Sequence, residues 1–209
     1  MSTLQDVGFK LARNGDAGSV RGLTSSLGQE GQQSGFYRSL LSKKPSSKPF
    51  LTTSVADFLY SFLQQRAIVT CPYKADEIPL KIFPALDVLT GKGGTEVEPV
   101  DQHLRFAIDL GHFGDGDKYV NGDGKGLWIT YFTGPLLPIS VPVENIKWNG
   151  RTAKFEAKFP FDANEMMGLT IASLTTKNNF TSAPEVVSSV IAGPGLIQVE
   201  DKVISWDGI

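Results

Sequence analysis

The chain has 209 residues, 41% of them apolar and 20% charged, with a net charge of −2 and one cysteine, Cys71. That size fits one large domain or one domain plus an arm. A lone cysteine excludes an internal disulfide framework and a multi-cysteine zinc site, and the near-neutral charge gives no bulk attraction to nucleic acid.

No apolar run reaches the roughly 18 residues of a spanning helix, and residue 1 is not followed by the apolar core of a signal peptide. A virion or cytoplasmic location without membrane contact is therefore expected. The charge is uneven along the chain. Residues 1–50 hold seven basic side chains (Lys10, Arg13, Arg21, Arg38, Lys43, Lys44, Lys48) and three acidic ones (Asp6, Asp16, Glu30), a net +4 that leaves −6 for residues 51–209. A basic segment joined to an acidic one can dock onto a polyanion or onto a neighbouring copy.

Gly8, Gly15, Gly18, Gly22, Gly28, Gly31 and Gly35 punctuate the first segment, with serines and glutamines between them. Glycine weakens a helix by about 1 kcal/mol relative to alanine, so residues 1–50 read as an extended, glycine-rich basic arm and linker. Alone, such an arm buries too little to offset its ordering entropy. Phe36, Tyr37, Leu40 and Leu41, beside Arg38, Lys43 and Lys44, read as an assembly anchor. Its apolar residues enter a partner while its basic ones face an acidic rim; the competing reading is a terminal turn packed on its own domain. Pro45 and Pro49 mark an extended linker, which places the domain boundary between residues 50 and 51.

Ser54 and Asp57 have the form of a helix start. Val55, Phe58, Leu59, Phe62 and Leu63 follow at helical spacing, predicting one short helix packed by one face. Residues 67–71 read as a buried strand ending at Pro72, with Cys71 a packed side chain. Residues 80–89 are a strand in which Pro84 signals an edge or bulge. Residues 91–95 are glycine-rich but lack phosphate-loop spacing, and read as a turn. Leu104, Phe106, Ile108 and Leu110 alternate with Arg105, Ala107 and Asp109, a strand with one covered face. Residues 127–132 are β-branched and aromatic, a further strand. Pro135, Pro138 and Pro142 suggest an extended edge segment crossing between sheets.

The clearest structural signal is residues 145–159. Asn149-Gly150 suits a two-residue hairpin turn, with Trp148 opposite Arg151. Ile146, Trp148, Ala153, Phe155, Ala157 and Phe159 then share the core face, and Lys147, Thr152, Lys154, Glu156 and Lys158 the wet face. A helical turn is expected within 161–167 and strands at 169–174 and 186–191. A turn is expected at 193–195, and a last hairpin at 196–206 about Asp201-Lys202. The sum is a mainly β fold: an antiparallel β-sandwich or barrel over 51–209, jelly-roll-like in strand density, with one short helix and an extended N-terminal arm.

Chemistry concentrates in residues 109–126, where Asp109, His112, Asp115, Asp117, Asn121 and Asp123 lie among glycines. Calcium favours oxygen-rich flexible loops. Asp117, Asn121 and Asp123 have partial calcium-loop spacing, although Tyr119 stands at a ligand position and no Glu closes the loop. His112 with Asp115 or Asp117 is a weaker transition-metal pattern. No Ser/His/Asp signature, nucleophile elbow, dinucleotide fingerprint or HExxH motif is present, so no catalytic residue is assigned and an enzyme is not expected. The favoured expectation is a structural subunit of a large assembly, specifically a virus or phage particle (capsid or tail component). Its partners are other copies of itself and other structural subunits; nucleic acid is the less favoured partner. The alternative is a carbohydrate- or ligand-binding β-sandwich using 109–126 as a calcium loop.

Overall fold

The computed structural model describes residues 2–72, 77–111 and 116–199. It begins with a helical hairpin, α1 (Ser2–Arg13) and α2 (Ala17–Leu40). The turn between them uses Gly15 at φ +77°, a conformation open to glycine. Asp16 caps α2 by accepting the Ser19 N–H at 3.0 Å; the Ser19 side chain and this backbone bond together hold its carboxyl below the usual range.

The expectation of an extended arm is thus corrected: residues 2–40 are mostly helix. The reason lies between the glycines. Leu4, Val7 and Leu11 form a stripe on α1, and Val20, Leu23, Leu27, Glu30, Ser34 and Arg38 recur every three or four residues on α2, all half-buried. That period is the helical signal, and the glycines sit where close approach is useful. A Cβ added at Gly8 would stand 3.1 Å from Leu23 Cδ2, so Gly8 lets the two helices approach.

The rest of the chain forms two four-stranded antiparallel sheets. The first has the order β1-β2-β6-β5, with β1 (Leu86–Val88), β2 (Gln102–Asp109), β5 (Glu144–Asn149) and β6 (Thr152–Phe159). The second has the order β4-β3-β7-β8, with β3 (Trp128–Thr133), β4 (Ile139–Pro142), β7 (Gly168–Thr175) and β8 (Val190–Val199). Inward side chains of both sheets meet in one cluster. It includes Leu104, Phe106 and Ile108 of β2, Phe155 and Phe159 of β6, Ile129 and Tyr131 of β3, and Ile197 and Val199 of β8. Tyr131 meets Phe159 edge-on at 5.4 Å and Phe106 stacks on Phe155 at 5.7 Å.

Neither sheet closes into a barrel. With 35% helix against 29% strand, the chain is mixed α/β in content rather than mainly β. Without the helical hairpin of α1 (12 residues) and α2 (24 residues), strand would exceed helix. Among the described residues no helix is long and apolar enough to cross a membrane.

The second sheet is covered on both faces. Val55 and Phe58 of the α3 region (α3, Ala56–Arg66), Phe83, and Ala183 and Val186 of α6 (Ala183–Val186) join Phe132 and Ile171 in a smaller cluster on its outer face. Double coverage explains why 127–132 reads as a continuous apolar run rather than an alternating one. The proline-rich segment crosses between sheets as expected: β4 ends at Pro142 in one and β5 begins at Glu144 in the other.

The central hairpin keeps its faces but changes its pairing. Asn149 pairs with Thr152 and Trp148 with Ala153, so Gly150 and Arg151 occupy the centre of the turn instead of Asn149 and Gly150. Gly150 alone has positive φ, at +60°, which matches a turn with glycine at its first central position. The partner of Trp148 moves by two positions, which preserves the side of every residue. β6 accordingly alternates, with Ala153, Phe155, Ala157 and Phe159 buried. A register shift between Glu144 and Lys147 leaves Asn145 at φ +53°, and Asn145 Nδ2 donates to Glu156 Oε2 at 2.7 Å.

Several local expectations are corrected. The helix α3 starts at Ala56, after a Val55 cap that makes no side-chain bond. Asp57 instead accepts the Lys81 N–H at 2.9 Å. Residues 67–71 are not a strand. They follow the end of α3 with no strand alongside, and Val69 (95% exposed) and Cys71 face out. Val186 lies in a helical turn, and β8 starts only at Val190. Residues 193–195 do not turn; β8 runs through them with a shifted register against β7. Pro84 O accepts the Gly193 N–H at 2.8 Å, and a Cβ at Gly195 would lie 3.1 Å from Leu86 O, so the glycines admit β1 closely. Residues 91–94 (α4, Gly91–Gly94) are a tight turn, as expected, with Gly91, Lys92, Gly93 and Gly94 all at positive φ. Α5 (Phe161–Asn164) is the helical turn expected after β6. The proposed hairpin about Asp201-Lys202 lies outside the described residues.

Candidate functional site

The helical hairpin contains the least covered apolar side chains in a regular element. No residue of α2 is fully buried along its 24 residues. At its end, Phe36 is 61%, Tyr37 63%, Leu40 66% and Leu41 69% exposed, and the Phe36 and Tyr37 rings lie 5.9 Å apart. Phe36 comes two residues after Ser34 and two before Arg38, which lie on the half-buried stripe. At about 100° per residue, that places Phe36 and Leu40 on the opposite side from the one packed against the molecule. Phe36 and Leu40 thus form an outward pair, while Tyr37 and Leu41, also exposed, lie nearer the packed side. Phe9 on α1 adds a further exposed ring, 59% accessible.

The basic residues of the anchor divide. Arg38 is half-buried and its Nε donates to Lys44 O at 2.7 Å, while Arg38 O accepts the Lys43 N–H at 2.9 Å. Arg38 thus helps fold the chain back after the helix. Lys43 is half-buried and Lys44 exposed.

The linker, at Lys48, and the first residues of the body after it, Thr52 and Thr53, are docked on the end of β3 and on β7. Thr53 N–H donates to Gly134 O at 2.9 Å, Thr52 Oγ1 to Leu169 O, and Gly134 N–H to Thr52 Oγ1 at 3.2 Å. Lys48 Nζ donates to Thr133 Oγ1. Sequence reasoning counted Lys48 only toward the charge of the arm. No local pattern reveals that it is laid against Thr133 at the end of β3, 85 positions away.

The acidic loop is partly described. Residues 112–115, including His112 and Asp115, lie outside the described residues, as does the side chain of Asp117. Asp123 is engaged by Lys125: its Oδ2 lies 2.8 Å from Lys125 Nζ and its Oδ1 accepts the Lys125 N–H at 3.0 Å. These bonds hold the Asp123 carboxyl low and the Lys125 amine high. Asn121 has φ +61°, Gly122 O accepts the Trp148 indole N–H at 2.9 Å, and Asp109 Oδ1 accepts the Gly111 N–H at 2.9 Å. Among the described residues no three His, Cys, Asp or Glu side chains converge as a metal would require. His103 lies on β2, 3.4 Å from Glu144 Oε2. Comparison with known proteins adds no identity: no family model and no curated protein matches the chain.

Proposed function

We propose that the chain is a structural subunit of a protein assembly, with the two sheets as a β-sandwich and the helical hairpin as the element that docks onto neighbouring subunits. The observation that carries this reading is α2, a 24-residue helix with no fully buried residue and four large apolar side chains exposed at its end. Isolated helices are marginal in water, and helices in proteins are stabilised mainly by covering an apolar face. Burying one such side chain contributes about 1.5–3 kcal/mol, so a partner covering Phe36, Tyr37, Leu40 and Leu41 supplies an anchor of useful strength. The +4 charge of residues 1–50 against −6 elsewhere favours a neighbouring copy as that partner, hairpin to body. A virus or phage particle, as a capsid or tail component, is the specific form preferred, the repeated hairpin-to-body contact being one that a many-copy particle would use.

The test is the size of the full chain in solution against a Phe36→Glu/Leu40→Glu variant, by light scattering over a range of concentrations. The native chain is expected to associate, and the variant to remain a monomer with an unchanged melting temperature. A native chain that is monomeric at every concentration sinks the reading.

A further inference from the structure

A cleft of about 350 Å³ lies where the docked linker, the turn after β3 and the chain around α5 meet. Pro49, Phe50, Pro135, Leu136 and Met167 give it mainly apolar walls. Phe50 is 64% and Leu136 48% exposed at its mouth. That volume falls at the small end of ligand pockets, which span about 300–1,000 Å³ and pair apolar walls with a few placed polar groups.

The placed polar group is Lys48. Its side chain is half-buried in the wall, and Nζ donates to the neutral hydroxyl of Thr133. Glu165 also lines the cleft, yet among the described residues no carboxylate forms an ion pair with Lys48. An ammonium that has lost water without gaining an anion is under-compensated. Consistent with this, burial lowers Lys48 from 10.5 to about 8. A carboxylate arriving at Nζ restores the missing partner through a charge-assisted hydrogen bond, and hydrocarbon laid along the walls leaves water.

We propose that this cleft binds a small apolar carboxylate, its carboxylate on Lys48 and Thr133 and its hydrocarbon between Phe50, Leu136 and Met167. The inference does not rest on the assembly reading. It is tested by titrating the full chain with octanoate in a calorimeter, with acetate and octylammonium as probes of chain and charge. Octanoate is expected to bind more tightly than either. Lys48→Met, which keeps the length of the side chain but not its charge, is expected to weaken octanoate about tenfold, the scale of one charged hydrogen bond. Lys48→Arg is expected to stay within about threefold of the native chain. Phe50→Ser, at an exposed position outside the core, is expected to weaken octanoate several-fold without altering the fold. Octanoate bound no better than acetate or octylammonium overturns the proposal, and so does unchanged octanoate affinity in Lys48→Met.

Discussion

β3 and α2 show two ways for a chain of ordinary composition to hold an element in place. In β3, five of six residues are buried, because one face meets the shared core and the other meets α3 and α6. In α2, none of 24 residues is fully buried, and contact is confined to one narrow stripe against α1 and the linker side. β3 is determined by its own chain. α2 is only half-supplied with contacts, and its outer side is left for something else. Coverage, more than intrinsic propensity, separates a structural centre such as β3 from an exposed helix such as α2, the docking element we propose.

The comparison breaks most visibly in the core. Phe106→Ala removes a fully buried ring stacked on Phe155. It is expected to cost about 3–5 kcal/mol, read as a lower urea midpoint at constant slope. The double Phe36/Leu40 variant is expected to shift that midpoint by less than about 0.5 kcal/mol, as for surface positions, while abolishing association. A comparable loss of stability in both variants erases the distinction between the two regions.

Tyr131 tests how complete the coverage of β3 is. Its ring is fully buried and its hydroxyl has no hydrogen-bond partner among the described residues, and burial pushes its ionisation well above the ordinary tyrosine value. Tyr131→Phe removes the unsatisfied group and is expected to stabilise the chain by about 1 kcal/mol. A destabilised variant in thermal melting counts against it. Gly28 tests the other side. A Cβ there meets nothing within 4 Å, so Gly28→Ala is expected to strengthen α2 by up to about 1 kcal/mol. The check is slower amide exchange in α2 with none in β3.

A pH-dependent effect concerns the joint between the regions. Burial sets Lys48 at about 8 in the folded chain against 10.5 ordinarily, so between those values the unfolded chain binds more protons. Stability therefore rises with pH across that window. The rise is expected in the difference between the native chain and Lys48→Met, whose charge is absent in both states. A difference curve that is flat from pH 8 to 10.5, or that falls, contradicts the placement of Lys48.

The body was legible where period and position agreed. β2 and β6 alternate so regularly that their buried residues are readable one by one, and Pro142 marks the crossing between sheets. The turn at Gly150 shifted because Asn-Gly fits more than one hairpin alignment, and both alignments keep the same rings inward. Residues 67–71 look like a strand until one asks what they pair with, which local sequence does not contain. The arm misled for a different reason. Its glycines are individually unfavourable in a helix, but the stripe from Val20 to Arg38 is carried by only a few apolar side chains and is easily outvoted. Phe36, Tyr37, Leu40 and Leu41 are legible as a run of large apolar side chains, but not how exposed each is; that Arg38 bonds back to Lys44 is not legible. Lys48 and its cleft depend on contacts more than 80 positions apart, beyond the reach of any local pattern.

The docking of Thr52 and Thr53 onto Gly134 and Leu169 also has a mechanical meaning. Part of a pull on the hairpin travels down the linker to these few bonds beside the buried strands β3 and β7, and part passes from α1 to α3. Load applied at the least anchored end is therefore received where the polypeptide is hardest to deform, and the linker behaves as a short strap rather than a slack leash.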